Sequence, residues 1–448
     1  MKTILPLFFI AALPLLKAHG QPIVDTYIRT AFANNQSVQQ QRFLLQRSLY
    51  ALEEARRLFR PSVNFSTTYT RAAGGRTIDF PLGDLFNPVY KTLNDLARSQ
   101  AFAPLENQRI LLNPDNFYDV KFRTTYPLLN VEIQYSQRIS QQRVDLQRIE
   151  IDLFKRELAK DVKVGYYRYL QATEGIRIYE NALTLVTENQ RVNTVLFANQ
   201  KVNRTTLVRS TNEVTKVQAQ VEVAHQAQLS AQAYVNFLLN RPAYSVLEVL
   251  LPDEVPGETA LADTAVSGRE ELAKLAQARA INDNLIKLSA TFRKPKVNLF
   301  LDVGSQGFNF AANRNTPYYF GGISLDWSVF AGGRNLLRVK QAEQDGLAIG
   351  ASEAYVSDQL RLQITTARHE LRSVLAQYRA ARSQVAASGR NYRDTERLYR
   401  EGQVLYMEML DAQNQFITDQ LQVNITRFDA WSKQAELERA TATLSLSN

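Results

Sequence analysis

The sequence predicts a mostly helical protein with short β-strands, built from two similar halves that each hold two strands and a long helical hairpin. Three observations predict this. The 14 prolines all lie outside two windows, residues 128–241 and 318–448, and an internal proline costs a helix about 3 kcal/mol. Within both windows, core-type residues recur at alternating steps of four and three, as in coiled coils. The two windows match at an offset of 202 residues, which indicates an internal duplication.

Residues 1–20 are predicted to be a signal peptide. An apolar run at 4–16 is followed by Ala18 and Gly20, small residues that suit cleavage before Gln21. A run of this length with two prolines is too short to span a bilayer, and no later stretch is long and apolar enough for a membrane helix. We therefore expect an exported protein.

The first repeat is predicted over residues 21–241. Alternating apolar and polar residues indicate strands at about 61–70 and 118–128. A long helical hairpin follows at about 131–240, with a first helix of about 65–70 residues. A linker or equatorial segment at 242–267 joins this repeat to the next.

The second repeat is predicted over residues 268–448. Strands at about 296–305 and 318–329 precede a helical hairpin at about 333–442. The link between the first two strands, residues 71–117, is much longer than its counterpart in the second repeat. A functional lid and a packed surface loop both explain such a link.

Alternation with aromatic residues near the strand ends is typical of transmembrane β-barrels. Half-buried strands of a soluble sheet alternate in the same way, so the pattern alone leaves both possibilities open. The predicted export and the lack of any other membrane segment favour the barrel. Because four strands cannot close a barrel and an open edge in lipid leaves backbone groups unsatisfied, several chains must share one barrel.

The composition excludes several classes of function. There are no cysteines, so disulfide scaffolds and thiol catalysis are excluded, and His19, His225 and His369 show no metal-ligand spacing. The formal net charge is +9, and the basic residues are interspersed with acidic ones along the chain. Such a distribution does not indicate a surface that binds nucleic acid. We expect no enzyme, no cofactor, no metal site and no nucleic-acid partner.

Two motifs point to a known family. Residues 326–334 (DWSVFAGGR) form a strand end with a Phe and a Gly pair, and residues 398–416 (LYREGQVLYMEMLDAQNQF) hold Tyr, Gly, an acidic residue and Leu-Asp-Ala. With the signal peptide, the duplication and the strands, they resemble the TolC-type outer-membrane efflux and secretion channel family over essentially the whole mature chain.

This resemblance implies a homotrimer with a shared transmembrane β-barrel of twelve strands in outer-membrane lipid and a periplasmic α-helical coiled-coil tunnel. It implies a passive exit duct of a tripartite efflux pump or type I secretion system. The duct would open at its periplasmic tip through a periplasmic adaptor (membrane fusion) protein and an inner-membrane RND or ABC transporter. The cargo stays open among drugs, metal ions and secreted proteins. The alternative is a periplasmic coiled-coil scaffold or adaptor subunit without a barrel.

The resemblance also implies a gate. Glu408 and Asp411 lie three apart on one helix face and resemble the acidic constriction of these channels, although solvated carboxylates at a helix start explain them equally without the family. Tyr399 is similar to the gating tyrosine of the family, and core packing is its other explanation. Arg209 on the first hairpin is expected to pair with one of the two carboxylates.

The hairpin turns are expected to contact the adaptor. The residues concerned are Gln200, Lys201 and Val202 in the first repeat and Gly402, Gln403 and Val404 in the second. The first turn has Gln200 where the second has Gly402, so it lacks the glycine. Nine arginines run along the second long helix, and a solvated face or pairing between chains is favoured over a basic strip in the channel.

Overall fold

The computed structural model describes residues 22–252, 255–257, 268–311 and 313–443. The predicted signal peptide, residues 1–20, and residues 258–267 of the predicted linker lie outside these ranges. The predicted fold class is confirmed, because each half contains two long strands and a long helical hairpin.

The elements follow the chain in two series. The first half contains α1 (Pro22–Asn34), α2 (Gln36–Arg57), β1 (Ser62–Thr70), β2 (Thr77–Phe80), α3 (Leu82–Ala97), β3 (Gln108–Leu111), β4 (Phe117–Leu129), α4 (Val131–Ala198) and α5 (Arg204–Leu238). The second half contains α6 (Glu270–Ser289), a 3-10 turn (Ala290–Arg293), β5 (Lys296–Phe308), β6 (Pro317–Asp326), α7 (Arg334–Arg400) and α8 (Tyr406–Thr441).

The chain forms two compact units. The helical unit comprises the described parts of Met1–Leu49, Gln142–Ile281 and Gly346–Asn448. The strand unit comprises Tyr50–Gln141 and Asn282–Asp345.

The core of the helical unit follows the predicted heptad stripe. Leu158, Val162 and Tyr169 of α4 lie on this stripe and are buried in one cluster with Val235 of α5 and Phe428 of α8. Long helices without proline can keep such a stripe on one face over many turns, and burying it stabilises the hairpins far more than helix propensity does.

Two tyrosines attach the segment after α5 to this core. The Tyr27 hydroxyl accepts the backbone N–H of Glu248 at 2.9 Å, and the Tyr166 hydroxyl donates to the Glu248 carbonyl at 3.0 Å. Their rings pack edge to face with centroids 5.6 Å apart. Burial raises the pKa of Tyr166 to about 12, so this hydroxyl stays protonated and remains a donor.

The strand unit contains an antiparallel four-stranded sheet in the order β1-β4-β5-β6. One row of side chains crosses all four strands in register through Phe65, Phe122, Val303 and Tyr319, and each is at least half exposed. The neighbouring row on the opposite face is Asn64, Arg123, Asp302 and Phe320. The sheet therefore has one exposed apolar face and a more polar opposite face, as the alternation predicts.

The predicted ends of two strands need correction. The last strand ends at Asp326 and not at residue 329, because the Val329 N–H bonds back to the Trp327 carbonyl at 3.1 Å and leaves the ladder. In the other direction, β5 continues to Phe308, three residues beyond the predicted end.

The long link 71–117 has a structure of its own. Strands β2 and β3 form an antiparallel ladder around α3. Asn87 and Asn94 of α3 each exchange two hydrogen bonds with the backbone of the returning chain, at Leu105 and Phe102 respectively, with distances of 2.7–3.0 Å. The segment is thus an ordered subdomain.

Among the described residues, no helix combines the length and apolar character needed to cross a membrane.

Candidate functional site

The turns that close the two helical hairpins have the same backbone geometry. The residues at the turn, Gln200 and Gly402, both adopt left-handed conformations, with φ of 58° and 76°. In each turn two N–H groups bond back to the preceding helix: Gln200 to Phe197 (2.9 Å), Lys201 to Leu196 (2.8 Å), Gly402 to Tyr399 (2.9 Å) and Gln403 to Leu398 (2.9 Å). The missing glycine therefore does not change the turn, but a side chain in this region costs about 1 kcal/mol.

The returning helices begin differently. Asn203 caps α5 by accepting the Thr206 N–H at 2.9 Å. The duplicate of Asn203 is Leu405, which caps α8 without a side-chain hydrogen bond. The start of α8 is therefore less well capped than the start of α5.

The six predicted tip residues divide into two groups. Gln200, Lys201, Gly402 and Gln403 are exposed, whereas Val202 and Val404 are partly buried. Val404 packs against the buried cluster formed by Tyr399, Tyr406, Met409 and Leu410.

Tyr399 lies inside this cluster. Its side chain is buried, its ring centroid is 5.7 Å from that of Tyr406, and its hydroxyl donates to the Asn193 side-chain oxygen on α4. Burial raises the pKa of both tyrosines. Tyr399 thus packs in the core, as one of the two explanations predicts, and also links α7 to α4 by a buried hydrogen bond.

A second buried hydrogen bond lies next to this link. Asn189 of α4 donates to the side-chain oxygen of Gln413 of α8 at 2.6 Å. The side-chain nitrogens of Asn193 and Gln413 have no hydrogen-bond partner in the described structure. Sequence reasoning did not single out Asn189 and Gln413, whose hydrogen bond joins α4 to α8. The available signal was a polar residue within a coiled-coil core, which usually fixes register at a cost in stability.

Glu408 and Asp411 are exposed in the first turns of α8, separated by the buried Met409 and Leu410. The structure therefore places the two carboxylates on one solvent-facing side of the helix. Arg209 of α5 donates to the sulfur of Met407. Within the described part of the chain, no ion pair joins Arg209 to either carboxylate.

The polar face of the sheet carries paired charges. Arg123 donates two hydrogen bonds to Asp302, at 2.7 and 2.6 Å, and Lys121 pairs with Asp119 at 2.5 Å. The Tyr318 hydroxyl also donates to Asp119, at 2.8 Å. Arg123 and Lys121 thus each have an acidic partner on the same or a neighbouring strand.

The described residues contain no group of three or more His, Asp or Glu side chains arranged to hold a metal ion.

The family comparison fits this architecture. The sequence model described as "Outer membrane efflux protein" matches residues 261–443. These residues form an outer membrane efflux protein domain. The domain covers most of the second repeat, including the turn at Gly402 and the carboxylates of α8. The match supports the predicted family for this part of the chain.

Solved structures extend the likeness to nearly the whole chain. VceC of Vibrio cholerae matches with a TM-score of 0.72 at 12% identity, covering 93% of this chain and 95% of the other. The CmeC outer membrane channel of Campylobacter jejuni matches with 0.70 at 13% identity over 93% and 85%. The open MtrE channel of Neisseria gonorrhoeae matches with 0.71 at 16% identity over 94% and 89%. No curated protein matches the sequence. At these identities the structures establish a shared fold for the efflux protein domain and the repeat before it.

Proposed function

We propose that this protein is the outer-membrane exit duct of a tripartite efflux pump or type I secretion system and works as a homotrimer. The observation that carries this proposal is the four-stranded sheet with an exposed apolar face and two unpaired edges, β1 and β6. A periplasmic scaffold without a barrel would have no use for such a face.

The unpaired edges of the sheet, β1 and β6, explain how a barrel would close. The outer N–H and C=O groups of β1 and β6 find no ladder partner among the described residues, and lipid cannot satisfy them. If β6 of one copy pairs with β1 of the next, three copies give a closed barrel of twelve strands, and the apolar row through Phe65 and Tyr319 faces lipid.

Cysteine crosslinking tests the closure, since the chain has no cysteine of its own. Cysteines at Ser66 of β1 and Ser324 of β6, scanned over neighbouring positions to find the register, should give covalent trimers in outer membranes. The matched control moves the second cysteine to Ser305 of the central strand β5, where no crosslink between copies is expected. A protein that stays a closed monomer by native mass spectrometry in detergent would refute the proposal.

The periplasmic partners are an adaptor protein and, through it, an inner-membrane RND or ABC transporter. The proposed adaptor contacts are the exposed residues of the two turns, Gln200, Lys201, Gly402 and Gln403, with Val202 and Val404 supporting them. Photocrosslinkers at Lys201 and Gln403 should capture a periplasmic adaptor. Capture only of partners outside the cell would contradict this assignment.

The gate is proposed at the start of α8. Three copies would bring six carboxylates from Glu408 and Asp411 around one axis, and such a ring attracts cations. The variant E408Q/D411N should reduce cation preference in planar bilayers. A control with the same change in charge, D394N/E401Q near the end of α7 and in the turn that follows it, should leave this preference unchanged. Equal selectivity of the two variants would place the gate elsewhere.

Tyr399 and Arg209 are proposed to hold the gate closed. The Tyr399 hydroxyl of α7 donates a hydrogen bond to Asn193 of α4, and Y399F would remove this bond. We therefore expect Y399F to raise the open probability of the channel without changing its ion selectivity. Arg209 lies near the carboxylates through its contact with Met407, so R209Q should increase cation preference.

A further inference from the structure

The nine arginines of α7 form one continuous stripe. In the heptad stripe of this helix, one core position recurs at Ile364, Leu371, Tyr378, Val385, Tyr392 and Tyr399. Every arginine from Arg368 onward lies one, four or five places after such a position, and Arg361 lies one heptad before Arg368. These three places are neighbours on one side of the helix. The arginines are 361, 368, 372, 379, 382, 390, 393, 397 and 400.

Part of this stripe has no acidic neighbour. From residue 371 to residue 393 the helix has no Asp or Glu. Arg372, Arg382, Arg390 and Arg393 are exposed, and none of the ion pairs within the described residues includes them. We call these four residues the arginine track. By contrast, the two arginines that follow are paired, Arg397 with Asp394 at 3.8 Å and Arg400 with Glu396 at 2.7 Å.

The track borders a close contact between α7 and α8 at Gly389. This residue is buried, and a methyl group built on it would come within 3.0 Å of the Phe416 ring and 3.6 Å of a guanidinium nitrogen of Arg393. The Phe416 ring therefore fills the space beside Gly389, and the exposed Arg390 and Arg393 lie next to this contact. Two guanidinium groups three residues apart suit one carboxylate or phosphate group, because they bind such oxygens in a fork geometry.

The charge arrangement is unfavourable for the protein alone. Like charges three or four places apart destabilise a helix, and intervening acids that would relieve this are missing from the track. The two returning helices offer little counter-charge. The two acids of α5 are Glu213, which is buried and paired with Lys216, and Glu222, and the exposed acids of α8 are confined to its first turns. A bound anion would supply the counter-charge that these helices lack.

We propose that the arginine track is a binding site for small anions with two or more carboxylate or phosphate groups. In the duct proposed above, on which this second step rests, the track makes such anions a class of cargo. Anions bound weakly along one flank of a long helix can exchange from one arginine to the next.

Two double variants, which remove the same charge at the same residue spacing, distinguish a specific anion site from general electrostatic attraction. R390Q/R393Q removes the unpaired cations beside Gly389, and R397Q/R400Q removes the paired cations one heptad further along the same face. Binding of inorganic tripolyphosphate to the full-length protein in detergent is measured by calorimetry at low ionic strength. R390Q/R393Q should weaken binding about fivefold relative to R397Q/R400Q, and binding by the unsubstituted protein should decrease with added salt.

Equal affinities of the two variants, or no binding by the unsubstituted protein, would overturn the anion site. Circular dichroism confirms that both variants keep their helices. Planar bilayers test the cargo step: R390Q/R393Q should lower anion permeability relative to R397Q/R400Q, and equal permeability would overturn it. Calorimetry needs no pore, so track-dependent binding in a protein that forms no channels would leave the anion site standing and refute the duct.

Discussion

Replacing Glu271 by Gln tests the ion-pair cluster that joins the start of α6 to the end of α8. The Glu271 carboxylate accepts hydrogen bonds from Arg269 at 2.6 and 2.9 Å and from Arg439 at 2.8 Å. Arg269 is almost fully buried and also donates to the carbonyl of Arg439 at 3.2 Å. The substitution keeps the shape of the side chain and removes the charge between two guanidinium groups.

The magnitude follows from the pKa of Glu271. Burial alone would raise this pKa, but the hydrogen bonds from Arg269 and Arg439 outweigh burial and lower it from 4.5 to about 2. That difference corresponds to about 3 kcal/mol in favour of the folded carboxylate. The side chain is 21% exposed and a Gln can still accept one hydrogen bond, so we expect E271Q to lose about 2 kcal/mol of unfolding free energy.

Tryptophan fluorescence in urea measures this loss. The protein has two tryptophans, and W327F leaves Trp431, which packs within the helical unit at 5.7 Å from Tyr167. With a urea dependence of about 3 kcal/mol/M, the midpoint of E271Q should fall by about 0.7 M. The matched control is E188Q, whose carboxylate pairs with Arg191 on the exposed surface of α4 and whose loss should leave the midpoint nearly unchanged.

The pH dependence gives the refuting result. Because the folded pKa of Glu271 is lower than the unfolded one, its contribution is present above pH 4.5 and is lost as the pH falls towards 2. The difference between the unsubstituted protein and E271Q should therefore be full at pH 7 and smaller at pH 3. A difference that is independent of pH, or equal to that of E188Q, would refute the assignment of the stability to this carboxylate.

Two further predictions concern the turns, and both are measured by amide hydrogen exchange of the tip peptides. Q200G should slow exchange, because glycine removes about 1 kcal/mol of left-handed strain, whereas G402Q should speed it. N203A should destabilise the start of α5 by about 1 kcal/mol, and L405N should stabilise the start of α8 by a similar amount; no change in either would show that neighbouring copies or partners, and not the caps, hold these ends.

The fold could be predicted from the sequence because its main signals are local or periodic. Proline-free windows and heptads identify α4 and α7, and the 202-residue offset relates the two hairpins. Alternation identifies the four long strands, but it continues through Trp327 to Val329, where the chain has already left the sheet. Alternation of apolar and polar residues does not indicate where the hydrogen bonds between the strands end.

The candidate site was less predictable, because its geometry depends on contacts between distant segments. Tyr399 was singled out by resemblance, but its partner Asn193 lies 206 residues earlier in the chain. The bond between Asn189 and Gln413 joins residues 224 apart. A buried polar residue at a heptad core position needs a hydrogen-bond partner. Which residue becomes that partner depends on how α4, α7 and α8 pack.

The two hairpins of the duplication share the same backbone geometry at their turns, but they differ in the side chains that cap and charge the returning helices. The first turn has a capped helix start at Asn203 and no acidic pair, whereas the second has an uncapped start at Leu405 followed by Glu408 and Asp411. The arginine stripe also belongs to the second hairpin alone. A helix start that lacks a side-chain cap and carries exposed like charges is less stable than a capped, neutral one. Less free energy is therefore needed to displace it. We therefore infer that the first hairpin supplies the fixed wall, through Asn189 and Asn193, and that the second supplies the charged, displaceable part of the duct.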